Sequence, residues 1–210
     1  MACRLSSASF TTSVYKGLWG APLGESLFGK RALIVGFGRI GKALARRLVA
    51  MGMAVDAIRR TPQPGDAQGG VGEVGSPADL PRLAAAADFL VCTATATEEA
   101  RGMLNASIFH AMKPSAIVVN VSRGAVINEP ALIAALREGL IAGAGLDVFA
   151  QEPVDLRSPL LKMENVIATP HVGGVTRQSY EGIARAIAAN VTAVKEGRTP
   201  QYCVNPAARA

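Results

Sequence analysis

Residues 32–52 read ALIVGFGRIGKALARRLVAMG, and this stretch decides the fold. ALIV (32–35) is a short apolar run of strand length. It leads without a spacer into a glycine turn, VGFGRIG (35–41), in which Gly36, Gly38 and Gly41 form a GxGxxG pattern. RIGKALARRLVAM then carries Ile40, Leu44 and Leu48 at four-residue spacing and stops at Gly52, as an amphipathic helix with a glycine end would. Three glycines alone are a weak signal. A strand before them and a helix after them supply the context in which such a turn lets a pyrophosphate approach the amides of a helix N-terminus. The segment reads as the opening strand–turn–helix of a dinucleotide-binding α/β unit.

The same alternation continues outward. AVDAI (54–58) is the second strand, and FLVCTA (89–94), AIVVNV (116–121), AGLDV (144–148) and NVIAT (165–169) are further strand candidates. Residues 63–75, rich in Gly, Gln and Pro, read as loop. Ser76-Pro77-Ala78-Asp79 has the order of a helix start: a capping hydroxyl, a proline in the first turn and an acid three residues on. PALIAALREG (130–139) is a helix between strands. Apolar strands alternating with helices specify a doubly wound α/β domain with a parallel sheet covered on both faces. The last helix, from about Thr176 to Lys195, places Tyr180, Ile183, Ile187, Val191 and Val194 on one stripe, which reads as core. There is no internal repeat.

Bulk properties narrow the partners. The 210 residues carry a net charge of +6, yet only 5% are aromatic and the only adjacent arginines are Arg46-Arg47 and Arg59-Arg60. Without a basic block or stacking platforms, no nucleic-acid partner is expected; a positive surface equally attracts an anionic cofactor or substrate. No apolar run approaches the roughly 18–20 residues that cross a bilayer, so no membrane partner is expected. Cys3, Cys92 and Cys203 are far apart and only two histidines are present, which gives neither a disulfide framework nor a metal site. Residues 1–16 contain Arg4, Lys16 and a Ser/Thr cluster, with no acid before Glu25. That composition fits a transit peptide or a short extension. A cytoplasmic location is the expectation, with chloroplast or mitochondrion as the alternatives.

Four further features carry chemistry. The residue closing the second strand separates NAD from NADP, because an acid bonds the ribose 2′-hydroxyl and an arginine accepts a 2′-phosphate. Here the strand ends in Ile58-Arg59-Arg60-Thr61, and the only acid close by in sequence, Asp56, sits three residues early inside the strand. Arg59 and Arg60 therefore favour NADP over NAD. Downstream stand Arg123 in VVNVSRGAVIN (118–128), Glu152 in GAGLDVFAQEPV (143–154) and His171 in NVIATPHVGGVT (165–176). A guanidinium is a fixed fork matched to a carboxylate, and one that follows an apolar strand lies at the sheet edge where α/β proteins bind ligands. A histidine oriented by a glutamate can move a proton at neutral pH. Together they describe a 2-hydroxy acid/2-keto acid redox site.

These motifs, in this order, resemble the D-isomer-specific 2-hydroxyacid dehydrogenases, specifically their Rossmann-type NAD(P)-binding domain and most closely the hydroxypyruvate and glyoxylate reductases. The match runs from about Trp19 to Pro206 and includes LFGKRALIVGFGRIG (27–41), NVSRG, GLDVFAQEP, TPHVGG and the closing VNP. The resemblance implies a small 2-keto or 2-hydroxy acid as partner. It makes Arg123 the carboxylate-binding residue, His171 the general acid/base and Glu152 its orienting partner. It implies cofactor contacts at Gly36, Gly38, Arg39, Ile40, Gly41, Arg59, Arg60, Thr95, Ser122, Asp147, His171 and Gly173, with Asp147 facing the nicotinamide. One departure is Thr95-Ala96-Thr97, where the family has a Pro-Leu-Thr run. A homodimer through the cofactor domain is also implied. Domain boundaries are expected at 1–26 (extension or remnant of the substrate domain), 27–197 (NAD(P)-binding domain) and 198–210 (tail). Family members carry a second, substrate-side domain, for which only some two dozen residues precede LFGK. A dinucleotide-binding module without efficient turnover is thus the alternative to an oxidoreductase.

Overall fold

The strand β1 (Arg31–Val35) shows why the sheet is a middle layer. Its four residues Ala32 to Val35 are all at most 1% exposed. Side chains alternate across a strand, so Leu33 and Val35 enter one core while Ala32 and Ile34 enter another. In the computed structural model, which describes residues 15–17, 19 and 24–203, this strand lies near the centre of a seven-stranded sheet. The order is β3-β2-β1-β4-β5-β6-β7, with every pair parallel. The other strands are β2 (Ala54–Ile58), β3 (Val71–Gly75), β4 (Phe89–Cys92), β5 (Ile117–Asn120), β6 (Gly143–Leu146) and β7 (Val166–Ala168).

Helix α1 (Arg39–Ala50) packs Ala45 into the core that holds Ala32, Ile34 and Val55. On the opposite face α2 (Leu80–Ala86), α3 (Ala106–Ala111) and α4 (Glu129–Arg137) bury Leu83, Phe109 and Leu132 against Leu33, Leu90 and Val118. Burial of each such side chain contributes roughly 1.5–3 kcal/mol. Helices on both faces of a parallel sheet make this the doubly wound α/β architecture. The order reverses between β1 and β4, and a crevice opens beyond the carboxyl ends of these strands.

Two elements differ from expectation. Residues 71–75 are the edge strand β3 rather than loop, although β3 contains two glycines. The buried carboxylate of Asp56 accepts the Glu73 amide from β3 at 2.9 Å, so a side chain on β2 supplies a bond that the irregular ladder lacks. The second concerns the last helix, α5 (Arg177–Lys195). Its stripe Tyr180, Ile183, Ile187, Val191 and Val194 is exposed, each residue by 49% or more, instead of forming core. Amphipathic spacing reports that a face is made for apolar contact; it does not say that the contact lies within the same chain.

The Ser76–Asp79 capping box forms as expected, with Asp79 accepting from the Ser76 amide and hydroxyl. The chain divides into two compact units, Met1–His171 and Val172–Ala210. The N-terminal Ser/Thr cluster, Cys3 and the closing VNP lie outside the described residues.

Candidate active site

The glycine turn is held by contact with the end of β4. Gly36 has φ +102°, and a Cβ there would lie 2.4 Å from the Ala94 amide nitrogen; a Cβ on Gly41 would lie 2.4 Å from the Gly36 carbonyl. Thr93 donates its hydroxyl to that same Gly36 carbonyl at 2.7 Å. The turn thus cannot carry side chains at these positions and still place Gly38, Arg39 and Ile40 at the opening of α1. The first turn of α1 itself contains no acid, and the amides and positive dipole end of a helix start favour a bound anion. These features fit a dinucleotide pyrophosphate.

Two cavities flank this turn along the sheet edge, of about 420 and 480 Å³. They share Thr93, Ala94 and Thr95 as a common wall. The first is bounded by the glycine turn and by Arg59 and Arg60 at the end of β2. The second contains Ile40, Ser122, Arg123 and Glu152. An extended dinucleotide would lie across both.

At the first cavity Arg59 does not stand alone. Its Nη1 donates to both carboxylate oxygens of Asp66, at 2.9 and 2.7 Å. The acid found near the end of β2 is therefore Asp66, brought back by the 63–70 loop, and not only Asp56. Asp56 is buried and bonded to Arg31 and the Glu73 amide, away from the cavity. Asp66 also accepts from Lys42 Nζ and from the Gln63 amide, each at 2.9 Å. The Lys42 and Arg59 bonds hold its carboxyl far below the usual carboxylate range.

At the second cavity backbone contacts bring separate motifs together. Asn120, fully buried at the end of β5, accepts from the Ser122 amide and hydroxyl and donates to the Arg123 carbonyl. Arg123 then projects as an exposed side chain with Nη1 on the Ser122 carbonyl at 2.7 Å. The next residue, Gly124, meets the loop after β6 so closely that a Cβ would lie 1.8 Å from the Phe149 carbonyl oxygen. In that loop Glu152 Oε1 accepts the Phe149 amide at 3.0 Å, and Glu129 of α4 accepts the Ala150 amide at 3.0 Å.

Glu152 Oε2 lies 2.7 Å from His171 Nδ1. A carboxylate only accepts, so Nδ1 carries the proton and Nε2 is left for other partners. Hydrogen bonds from His171 and the Phe149 amide, with the Arg123 charge nearby, hold the Glu152 carboxyl below its ordinary 4.5. His171 has φ 55°, a left-handed backbone that a residue with a Cβ adopts at a cost. Its amide donates to the Asp147 carbonyl at 2.9 Å, while the buried Asp147 carboxylate accepts the Thr169 hydroxyl at 2.5 Å. Asp147 thus supports the loop that aims His171.

Of the residues expected at the site, Gly36, Gly38, Arg59, Arg60 and Thr95 line the first cavity, and Ile40, Thr95, Ser122, Arg123 and Glu152 the second. Arg39 begins α1, Gly41 packs beneath the turn, and His171 reaches the site through Glu152. Gly173 belongs to the second compact unit. Asn120, Gly124, Glu129 and Asp66 were not expected. Each acts on another loop through its backbone or through a partner distant in sequence, and no local pattern marks such a role. Cys92, drawn against Ser122, is buried, which raises its thiol. His110 is exposed on α3.

A parallel sheet with a glycine turn at its switch point, and a Glu–His pair on the same edge, has the architecture of a dinucleotide-binding domain. The description "D-isomer specific 2-hydroxyacid dehydrogenase, NAD binding domain" matches residues 2–173. The chain belongs to that family. It is 42% identical over 183 residues to the glyoxylate reductase of Thermococcus onnurineus, covering 87% of this chain and 54% of the relative. With the glyoxylate/hydroxypyruvate reductase B of Yersinia enterocolitica it shares 39% identity over 98% of this chain and 65% of the relative. A crystal structure of a D-isomer specific 2-hydroxyacid dehydrogenase from Xanthobacter autotrophicus, in complex with NADPH and MES, superimposes with a TM-score of 0.81 at 34% identity, covering 94% of this chain and 80% of that one. The chain therefore spans about half to two thirds of the length of these curated relatives.

Proposed function

We propose that this chain carries the cofactor-binding and proton-moving half of a 2-keto acid reductase, acting on a small substrate such as glyoxylate or hydroxypyruvate. The observation that carries the reading is the 2.7 Å His171–Glu152 pair beside a cavity that contains Arg123 and continues to the glycine turn. When bound, the dinucleotide supplies or accepts the hydride. The remaining chemistry falls to side chains. Arg123 binds the substrate carboxylate through its guanidinium fork. His171, with Nδ1 held by Glu152, gives a proton from Nε2 to the carbonyl oxygen during reduction and takes the hydroxyl proton in reverse. Arg59 and Arg60 favour NADPH over NADH.

The boundaries that suit this reading are a cofactor domain at 27–197, with 1–26 and 198–210 as flanking segments. The exposed α5 stripe supports a homodimer, testable by sedimentation. A cytoplasmic site is the working assignment; fluorescence localisation with and without residues 1–16 distinguishes it from organelle import.

The activity test is oxidation of NADPH and NADH with glyoxylate or hydroxypyruvate, for this chain and for His171→Ala. Turnover that depends on His171 supports the enzyme. NADPH binding with no turnover would instead support a dinucleotide-binding module. That second reading draws on the solvent exposure of Arg123, Glu152 and His171.

A further inference from the structure

We propose that Asp66 is a positioning residue that presents Arg59 to the ribose end of the cofactor and so sets selectivity for a dinucleotide with a 2′-phosphate. This deepens the NADPH reading above and rests on it.

The two arginines at the end of β2 differ in how they are held. Arg60 is exposed, and its charge lies near the exposed carboxylate of Glu99, which Thr97 also hydrogen-bonds. Arg59 is half-buried and gripped by a carboxylate whose side chain is only 4% exposed. An arginine free in water loses rotamer entropy when a ligand fixes it. Asp66 removes much of that loss in advance.

The grip is also one-sided. Both bonds to Asp66 come from Nη1, and among the described residues Nε and Nη2 of Arg59 have no partner. That leaves one full edge of the guanidinium, the edge that pairs bidentately with a phosphate, for a ligand in the adjacent cavity.

Asp66 is itself overdetermined. Two cations and a backbone amide converge on its carboxylate, and its loop is closed by the Asp66 amide on the Gln63 carbonyl and the Gln68 amide on the Asp66 carbonyl. Lys42, on the first turn of α1, ties the same carboxylate to the helix that follows the glycine turn. Neither Asp66 nor Lys42 lines the cavity, so Asp66 acts through Arg59 and not on the ligand directly. Among the charged groups lining the cavity Arg59 and Arg60 stand against Glu99 alone, which leaves this end net positive and suited to an anion.

The test measures dissociation constants of NADPH and NADH by direct binding for the wild type, Asp66→Asn, Arg59→Ala and the double variant. Asp66→Asn keeps the shape of the side chain and discards its charge. It is expected to weaken NADPH by roughly tenfold while NADH changes less than about twofold. In the Arg59→Ala background Asp66→Asn should then leave the NADPH/NADH ratio unchanged, because the residue it positions is gone. Asp66→Glu, with the charge retained on a longer arm, should give a smaller loss in the same direction; it decides the matter if Asp66→Asn fails to fold.

Tighter or unchanged NADPH binding in Asp66→Asn overturns the proposal, since Asp66 would then merely neutralise Arg59 or staple its loop. An equal loss for both cofactors overturns it too. If the wild type does not prefer NADPH, the cofactor reading fails and takes this one with it. If the wild type prefers NADPH through Arg59 and Asp66→Asn keeps that preference, only the role of Asp66 falls.

Discussion

The two ends of the cleft are built on the same small unit, an acid holding a nitrogen base at 2.7 Å, yet they are embedded differently. At the ribose end Asp66 holds Arg59 with a side chain 4% exposed. At the catalytic end Glu152 holds His171 with both side chains in water, 37% and 48% exposed. The buried pair involves an arginine that never releases its proton, and burial makes its geometry permanent. The exposed pair involves a histidine, and the proton transfer proposed for it needs that access to solvent or substrate. One pair is held by burying its acid; the other is aimed by the backbone, through Gly124 against Phe149, the His171 amide on Asp147 and a left-handed φ.

Substitutions that touch one end and spare the other test this division. His171→Ala should have the largest effect. Turnover of glyoxylate should fall by about 10²–10⁴-fold with the NADPH dissociation constant unchanged. A parallel loss of NADPH binding would show that the two ends are not separable. Gly124→Ala forces a Cβ onto the Phe149 carbonyl and should cost about 1–3 kcal/mol of stability together with turnover. Chemical denaturation measures the first effect, and a fully stable variant would show that the loop yields. Arg123→Lys keeps the charge and loses the fork. The KM for the keto acid should rise by roughly ten- to a hundredfold, in line with about 1.5–3 kcal/mol for a charged hydrogen bond, while cofactor affinity stays.

The smallest effect concerns pH. The Glu152 carboxyl is depressed in the folded chain, so the stability it lends is complete above its unfolded value near 4.5 and is lost as pH falls through the lower folded value. The stability difference between wild type and Glu152→Gln should shrink as pH falls below about 4.5, where Glu152 takes up its proton. Its size should be under about 1 kcal/mol, because the pair is exposed. A difference that persists unchanged well below about pH 4 would contradict the assignment.

Much of this was legible in the sequence. The alternation of apolar runs with amphipathic segments gave the sheet, since buried parallel strands are apolar on both faces. The glycine turn was legible because steric need at Gly36 and Gly41 selects glycine outright. Arg123, Glu152 and His171 were found because each sits in a distinctive motif. What held them was not visible. Gly124 meets Phe149 backbone to backbone, Glu129 reaches a loop 21 residues away, and Asp66 returns to Arg59 through a segment whose composition indicated only loop. The strand β3 was hidden for the same reason, as an edge strand with two glycines lacks the apolar alternation of its neighbours. The exposed stripe on α5 marks the converse limit, where periodicity identifies an apolar face and does not encode whether that face is buried.

The absence of an acid from the first turn of α1 has a consequence outside catalysis. A helix start favours a negative charge by about 0.3–1 kcal/mol. A pyrophosphate bound there would add that contribution to the folded state alone, which would make the dinucleotide a folding ligand. By mass action, free cofactor at a hundred times its dissociation constant adds about 2.7 kcal/mol to stability. Resistance to proteolysis would then serve as a readout of cofactor occupancy that does not depend on turnover.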